Sequence, residues 1–354
     1  LTAIRPTDRI VLACSGDLVT SLAIPWLADR FGAEIVTVTL DLGQPAGLED
    51  LRERALAAGA VRAHVIDARD EFARDFILPA LQAGVLDSEG DRCDVALARL
   101  LVARHLVAVA ALENAVAVAH GIDVATDGRS FAGAVRSLNP RLRVLSPARE
   151  WRMTRAAISS NLWIQSARRR AGVNPSPRTD GPPRSAADNG ASVAIRFDRG
   201  LPVAINDVEL PLVDLIGSLT TIGGAHGIGS LNGDAMSAAN DAAIEAPAAA
   251  VLRAACRDLR AAALPATKIR MLRDVAASSA QLIAQGRWFT PARETLDALL
   301  STARDHLTGT VRLELVDGAC HVVDCDVPER PGEGAARDEF VPEAPRQPIA
   351  SAQA

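Results

Sequence analysis

Along the N-terminal part of the chain, short apolar runs alternate with stretches whose apolar residues recur at helical spacing. RIVLACS (9–15) is an apolar run between a charge and a turn, which predicts a strand. TSLAIPWLADRFG (20–32) has helical spacing and closes at Gly32, a residue that tolerates the left-handed helix stop; Pro25 predicts a kink or a place in the first turn. AEIVTVTLDLG (33–43) predicts a second strand, LEDLRERALAAGA (48–60) a second helix closed by Gly59, and VRAHVIDAR (61–69) a third strand. The helix DVALARLLVARHLVAVAALENA (94–115) and the strands AVAVAHG (115–121) and LRVLSPA (142–148) continue the alternation. Such alternation predicts an α/β fold with a parallel sheet and crossover helices.

Between Ala171 and Ser192 the periodicity disappears into AGVNPSPRTDGPPRSAADNGAS, whose Pro, Gly, Ser and Asp content predicts a linker or long loop. Apolar patterning then resumes. SVAIRFDRGLPVAIN (192–206) predicts a hairpin, and ELPLVDLIGSLTTIGGAHG (209–227) a helix with its exit. Residues 246–264 and 266–286 predict two more helices. The stretch 290–309 predicts another, opened by Thr290 as N-cap and Pro291 at the first helical position. TVRLELVDGACHVVDC (310–325) predicts a hairpin turning at Asp317-Gly318. From Val327 the chain is rich in Pro, Glu and Ala, which predicts disorder.

A chain of 354 residues is long enough for two domains. Its 49% hydrophobic residues supply a sizeable core. The formal net charge of -5 and the lack of basic runs beyond Arg168, Arg169 and Arg170 argue against a nucleic-acid partner. Five scattered cysteines suit a reducing compartment rather than a disulfide framework. No run reads as long enough to span a bilayer and no secretory apolar core is visible at the start, so a cytoplasmic location is expected. Cys320, His321 and Cys325 lack the second pair that a zinc site needs, and no metal site is assigned. His120 is expected to pack beside a loop, and the other five histidines to be surface or hydrogen-bonded residues. Asp67, Asp70, Glu49 and Glu53 read as solvated faces.

Several segments, in order, resemble the argininosuccinate synthase family. LACSGDLVTS (12–21) is similar to its A-Y-S-G-G-L-D-T-S loop, and LDLGQ (40–44) to its D-x-G-Q strand end. PALQAGVL (79–86), ALARLLVA (96–103), AHG (119–121), REW (149–151) and NLW (161–163) follow in place. EAPAAAVLRAACRDL (245–259), GRWFTPARETLDAL (286–299) and TGTVRLEL (308–315) complete the set. The resemblance implies a nucleotide-binding domain of the PP-loop ATP pyrophosphatase type, adenine nucleotide alpha hydrolase-like, followed by an α+β synthetase domain and a C-terminal helix. It places the divisions at 1–166 for the nucleotide-binding domain, 167–192 for the linker, 193–326 for the synthetase and oligomerisation domain, and 327–354 for the tail. It also implies the family reaction, in which ATP with Mg²⁺ activates the citrulline ureido oxygen and the aspartate amine displaces AMP, in a cytoplasmic homotetramer. No protein nucleophile is implied, so no catalytic residue is assigned; positioning and charge stabilisation carry such a reaction.

Carried over residue by residue, the resemblance assigns Ala13, Ser15, Gly16, Thr20, Ser21 and Gly121 to ATP, Asp127 and Thr126 to aspartate, and Arg129 and Ser166 to citrulline. It also exposes departures. Asp17 stands where a glycine is expected, and a carboxylate beside a polyphosphate is repelled. Val19 replaces an acid, and Thr126 an asparagine. Ser130 replaces the arginine that holds a substrate carboxylate, with Arg129 adjacent. The loop lysine and glycines after His120-Gly121 are gone. Asp91, Val95, Ala157 and Ile244 occupy citrulline-pocket positions. Each lost charged hydrogen bond costs about 1.5–3 kcal/mol. Apolar matches persist while ligand-touching polar ones do not, which predicts much reduced activity. Three readings stand: a ligase, including one of altered substrate; a silent paralogue acting through association or regulation; and a degraded gene product that folds badly.

Overall fold

The computed structural model describes residues 4–16, 18–43, 47–87, 93–122, 129–151, 190–228 and 247–328. Strands β1 (Arg9–Ala13), β2 (Glu34–Asp41), β3 (Arg62–Asp67), β4 (Ala117–Ala119) and β5 (Arg143–Leu145) form one sheet in the order β3-β2-β1-β4-β5, every pair parallel. The helices between them are α1 (Leu18–Phe31), α2 (Leu48–Ala57), α3, α4 (Cys93–Leu112), α5 (Arg129–Leu138) and the single turn α6 (Pro147–Trp151). α3 winds through Arg69–Glu71, a π-helical segment Phe72–Ile77, and Leu78–Ala83.

The central strands are buried on both faces, which is why they read as unbroken apolar runs. Ile10, Leu12 and Ile35 join Ile24 and Leu27 of α1 in one core. The alternate residues Val11, Val36 and Val38 join Leu97, Leu100 and Leu101 of α4 in the other. Chain order reverses at β1, so the loops leaving β1 and β4 open side by side at the carboxyl end of the sheet, where α/β proteins of this topology place ligands.

At the opposite end an ion cluster ties the strands together. Glu113, buried, accepts from Arg9 Nη1 at 2.9 Å, Arg62 Nη1 at 3.0 Å and His64 Nε2 at 3.2 Å. Burial pushes its carboxyl up, but the hydrogen bonds from Arg62 and His64 outweigh that, and the net shift is downward.

Five features differ from the sequence reading. The helical character of 69–83, part of which is a π segment, escaped it because charged residues leave only a narrow apolar stripe there. The helix at 129–138 also escaped it. α4 contains an 18-residue window, Val95–Leu112, with mean hydropathy 1.9, long and apolar enough for a bilayer by length and composition, contrary to the expectation of no such run. Its apolar side is spent instead on the sheet and on α3 and α5, with Leu97, Leu100, Ala103 and Leu106 fully buried. Thr290 precedes Pro291 in extended geometry as expected, but its hydroxyl donates to Arg287 O at 2.7 Å and caps nothing in the following helix.

The second sheet is antiparallel. It holds β6 (Ala191–Asp198), β7 (Leu201–Ile205), β8 (Val208–Glu209), β9 (Gly309–Val316) and β10 (Ala319–Asp326) in the order β10-β9-β6-β7-β8. Asp317 (φ 50°) and Gly318 (φ 77°) make the expected tight hairpin turn. Helices α7 (Leu212–Ala225), α8 (Pro247–Ala263), α9 (Ala266–Gln285) and α10 (Pro291–Arg304) complete this part. His226, at the end of α7, has a buried Nδ1 with no hydrogen-bond partner among the described residues, where a surface or hydrogen-bonded histidine was expected. α9 packs across α3, α4 and α5 and so joins the antiparallel half to the parallel one. The crossing is at backbone distance: a Cβ on Gly286 would lie 1.9 Å from Ser130 O, and one on Gly133 2.1 Å from Gln285 O.

Candidate functional site

β1 delivers its loop into the crevice by staying paired one residue beyond the strand. Cys14 N–H donates to Val38 O at 2.9 Å, and Thr39 Oγ1 donates to Cys14 O at 2.9 Å. The chain then turns at Gly16, whose φ of +74° is a left-handed value that favours glycine. α1 starts at Leu18, so the N-terminus of a helix follows directly on this turn, a place that favours anions. Ser15 is exposed and Thr20 buried, with their hydroxyl oxygens 3.5 Å apart. Ser21 is half-buried in the first turn of α1.

From β4, Gly121 comes in against the same turn. A Cβ there would lie 2.6 Å from Thr20 Cγ2 and 3.4 Å from Val19 Cγ1. The fold therefore brings Ala13, Ser15, Gly16, Thr20, Ser21 and Gly121 to one place. Val19 is 2% exposed. Among the described residues no group of three His, Cys, Asp or Glu side chains is placed to hold a metal.

His120 connects this turn to α5. Its Nδ1 accepts Ile122 N–H at 3.1 Å, its backbone N–H donates to Leu145 O at 3.2 Å, and its ring stands edge-on to Phe131, 4.7 Å between centroids. The ring is thus packed beside the loop, as expected. Burial, and then the charges of Arg149 and Arg99, push the imidazole pKa down to about 3. The unfolded ring takes up its proton near pH 6.5, which the folded ring declines until about pH 3, so stability falls as pH drops below 6.5. The slope is about 1.4 kcal/mol per pH unit. We expect His120→Asn to flatten the stability profile between pH 6.5 and 4 in urea titrations; an unchanged slope would show that another group sets it.

Arg129 is exposed at the first position of α5 and already has an interaction partner. Ser130 is buried inside the helix, 4% exposed, so it cannot replace an arginine reaching toward ligand. Thr126, Asp127 and Ser166, like Asp17, Asp91, Ala157 and Ile244, lie outside the described residues. Val95 is half-buried in the first turn of α4.

Two residues near this turn were given no role in the sequence reading, although the first lies in the LDLGQ match. Asp41, at the end of β2, accepts Gly43 N–H at 2.8 Å and lies 3.7 Å from Arg69, which grips Asp67 at 2.7 Å and holds that carboxyl down at about 2. The hydrogen bonds from Arg69 are the main cause. The other is Leu51, which packs on Gly16. Its only sequence signal is being an apolar residue early in α2.

Comparison with known proteins adds to this geometry. A profile described as "Arginosuccinate synthase N-terminal HUP domain" matches residues 9–161, and one described as "Arginosuccinate synthase C-terminal domain" matches residues 178–330. The argininosuccinate synthase of Carboxydothermus hydrogenoformans is 34% identical over 346 residues, covering 88% of this chain and 86% of the relative. That of Symbiobacterium thermophilum is 36% identical over 350 residues, covering 89% and 87%. That of Oceanobacillus iheyensis is 33% identical over 350 residues, covering 89% and 84%.

Proposed function

The chain belongs to the argininosuccinate synthase family, and we propose that it is a member in which joining citrulline to aspartate has fallen far below the family's level while the nucleotide-loop scaffold persists. The family is one of ATP-using ligases, and the N-terminal part of this chain is its HUP, PP-loop type domain with a parallel sheet. In this reading 1–166 is the nucleotide-binding domain and 193–326 the synthetase domain of a cytoplasmic homotetramer. Ala13, Ser15, Gly16, Thr20, Ser21 and Gly121 are the remnant of the ATP site, and Thr126, Asp127, Arg129 and Ser166 that of the amino-acid sites.

The observation that carries the reading is Val19. An isopropyl group, 2% exposed and packed on Gly121, fills the position from which an acid would act near Mg²⁺ and the phosphates. A buried apolar side chain orients neither metal nor water. The burial of Ser130 in α5 supports the same reading on the amino-acid side.

The test is pyrophosphate release by the purified chain with ATP, Mg²⁺, aspartate and citrulline. Release indistinguishable from the enzyme-free rate is expected. Turnover near the ~10 s⁻¹ typical of enzymes would sink the proposal.

A further inference from the structure

The Gly16 turn is covered on the side where a side chain would stand. A Cβ built there would meet Leu51 Cδ2 at 1.8 Å, Cγ at 3.1 Å and Cδ1 at 3.3 Å. All three atoms belong to one residue, so a single isobutyl group fills the space that the glycine leaves. Leu51 sits in the first turn of α2, where its N–H donates to Gly47 O at 2.9 Å. Gly47, at φ +126°, starts the helix without a side-chain cap. Glu49 and Asp50 stand in the same turn.

Glycine in such a loop serves a polyphosphate by letting it approach the backbone closely. Here that freedom is used by a hydrocarbon group of the protein itself. An isobutyl group offers no donor, and phosphate oxygens brought against it lose water without gaining a hydrogen bond. Asp50 in the same turn of helix adds repulsion, while Glu49 is paired with Arg52 at 2.7 Å.

We propose that Leu51 sets the depth to which a polyphosphate enters this loop and keeps the affinity for nucleotide low. The proposal rests on the reading of residues 13–21 as a nucleotide site, and it adds a residue outside that loop as its gatekeeper. The contact is between α2 and the β1–α1 turn, so removing the side chain opens the turn without altering any residue of the turn.

Calorimetric titration of Leu51→Ala with Mg·ATP, Mg·pyrophosphate and adenosine tests it. Leu51→Ala is expected to bind Mg·ATP and Mg·pyrophosphate at least tenfold more tightly than the unaltered chain, with adenosine unchanged. Leu51→Val, one methylene shorter and gentler on the fold, should move in the same direction by less. Leu56→Ala, on the same helix with its side chain 37% exposed, should change nothing. Phosphate affinity that stays the same in Leu51→Ala and Leu51→Val, including binding by neither, overturns the proposal. So does an equal gain for adenosine. Pyrophosphate release by the unaltered chain would refute the reading of lost ligation and leave this outcome to be decided separately.

Discussion

Gly286→Ala is expected to destabilise the protein by about 2–4 kcal/mol, from two costs that add. The first is backbone strain. Gly286 ends α9 in the left-handed region at φ +68°, where an L side chain costs about 1 kcal/mol or more. The second is steric and larger. The new Cβ would lie 1.9 Å from Ser130 O, 2.6 Å from Ala134 N and 2.8 Å from Ser130 C. Those are backbone atoms of α5, so no side chain can rotate away, and either α5 or the end of α9 must shift. Overpacking of this kind costs about 1–3 kcal/mol. Gly59→Ala separates the two costs, because Gly59 also has a positive φ, +107°, but nothing within 4 Å of its missing Cβ. Urea unfolding should give the Gly59 variant only the smaller loss. Equal losses would mean that the α5–α9 crossing is looser than its geometry indicates.

That crossing also shows what a sequence can and cannot announce. β1 and β2 were legible because burial on both faces leaves an unbroken apolar run, and α1 because Gly32 stops it at φ +64°. Phe72 and Phe76 stand four apart and are both buried, but they did not betray α3 because the charged Arg69, Asp70, Glu71, Arg74 and Asp75 around them leave only a narrow apolar stripe. α5 is ten residues long, and its buried face consists of Ser130, Phe131, Ala134 and Val135, too short a stripe to stand out beside a glycine-containing loop. The nucleotide loop was legible from a strand running into Ser15-Gly16. Its departures at Asp17 and Val19 were legible too, but its packing was not, because the contact of Leu51 with Gly16 and that of Val19 with Gly121 join residues far apart in sequence. Serine at position 130 could be noticed as a departure from the family pattern, but only burial explains why Arg129 alone is left at the surface there.

The structural positions of this chain are filled and, at its ion cluster, paired in its described parts. Its cores are filled with large apolar residues at or near zero exposure in both halves. Polar groups with structural partners are also intact, as the grip of Arg9, Arg62 and His64 on Glu113 shows. Positions 19 and 130 carry no charge, and their side chains face packing rather than solvent.

Arg260 provides the complementary prediction, a structural polar group whose removal is costly. It is 7% exposed in α8, and it donates from Nη1 to Leu81 O and from Nη2 to Asp87 Oδ2. These bonds bolt α8 to the end of α3, over a turn made by Gly84 at φ +78°. A Cβ on Gly84 would stand 2.9 Å from Asp87 Oδ2, so the turn leaves no slack for the carboxylate to follow a shortened partner. Arg260→Met keeps the apolar stem but is shorter and leaves a buried carbonyl and a carboxylate without their donor. Breaking a buried ion pair costs about 3–5 kcal/mol, and the partial exposure of Asp87 brings the expectation down to about 2–4 kcal/mol. Arg260→Lys has a single ammonium in place of a fork and should recover only part of that loss. Asp87→Ala added to Arg260→Met should cost less than Asp87→Ala alone, giving a coupling of about 1–3 kcal/mol in a double-mutant cycle. A cycle that closes additively would mean the two side chains stand close without stabilising one another, and the join between α8 and α3 would then rest on apolar packing alone.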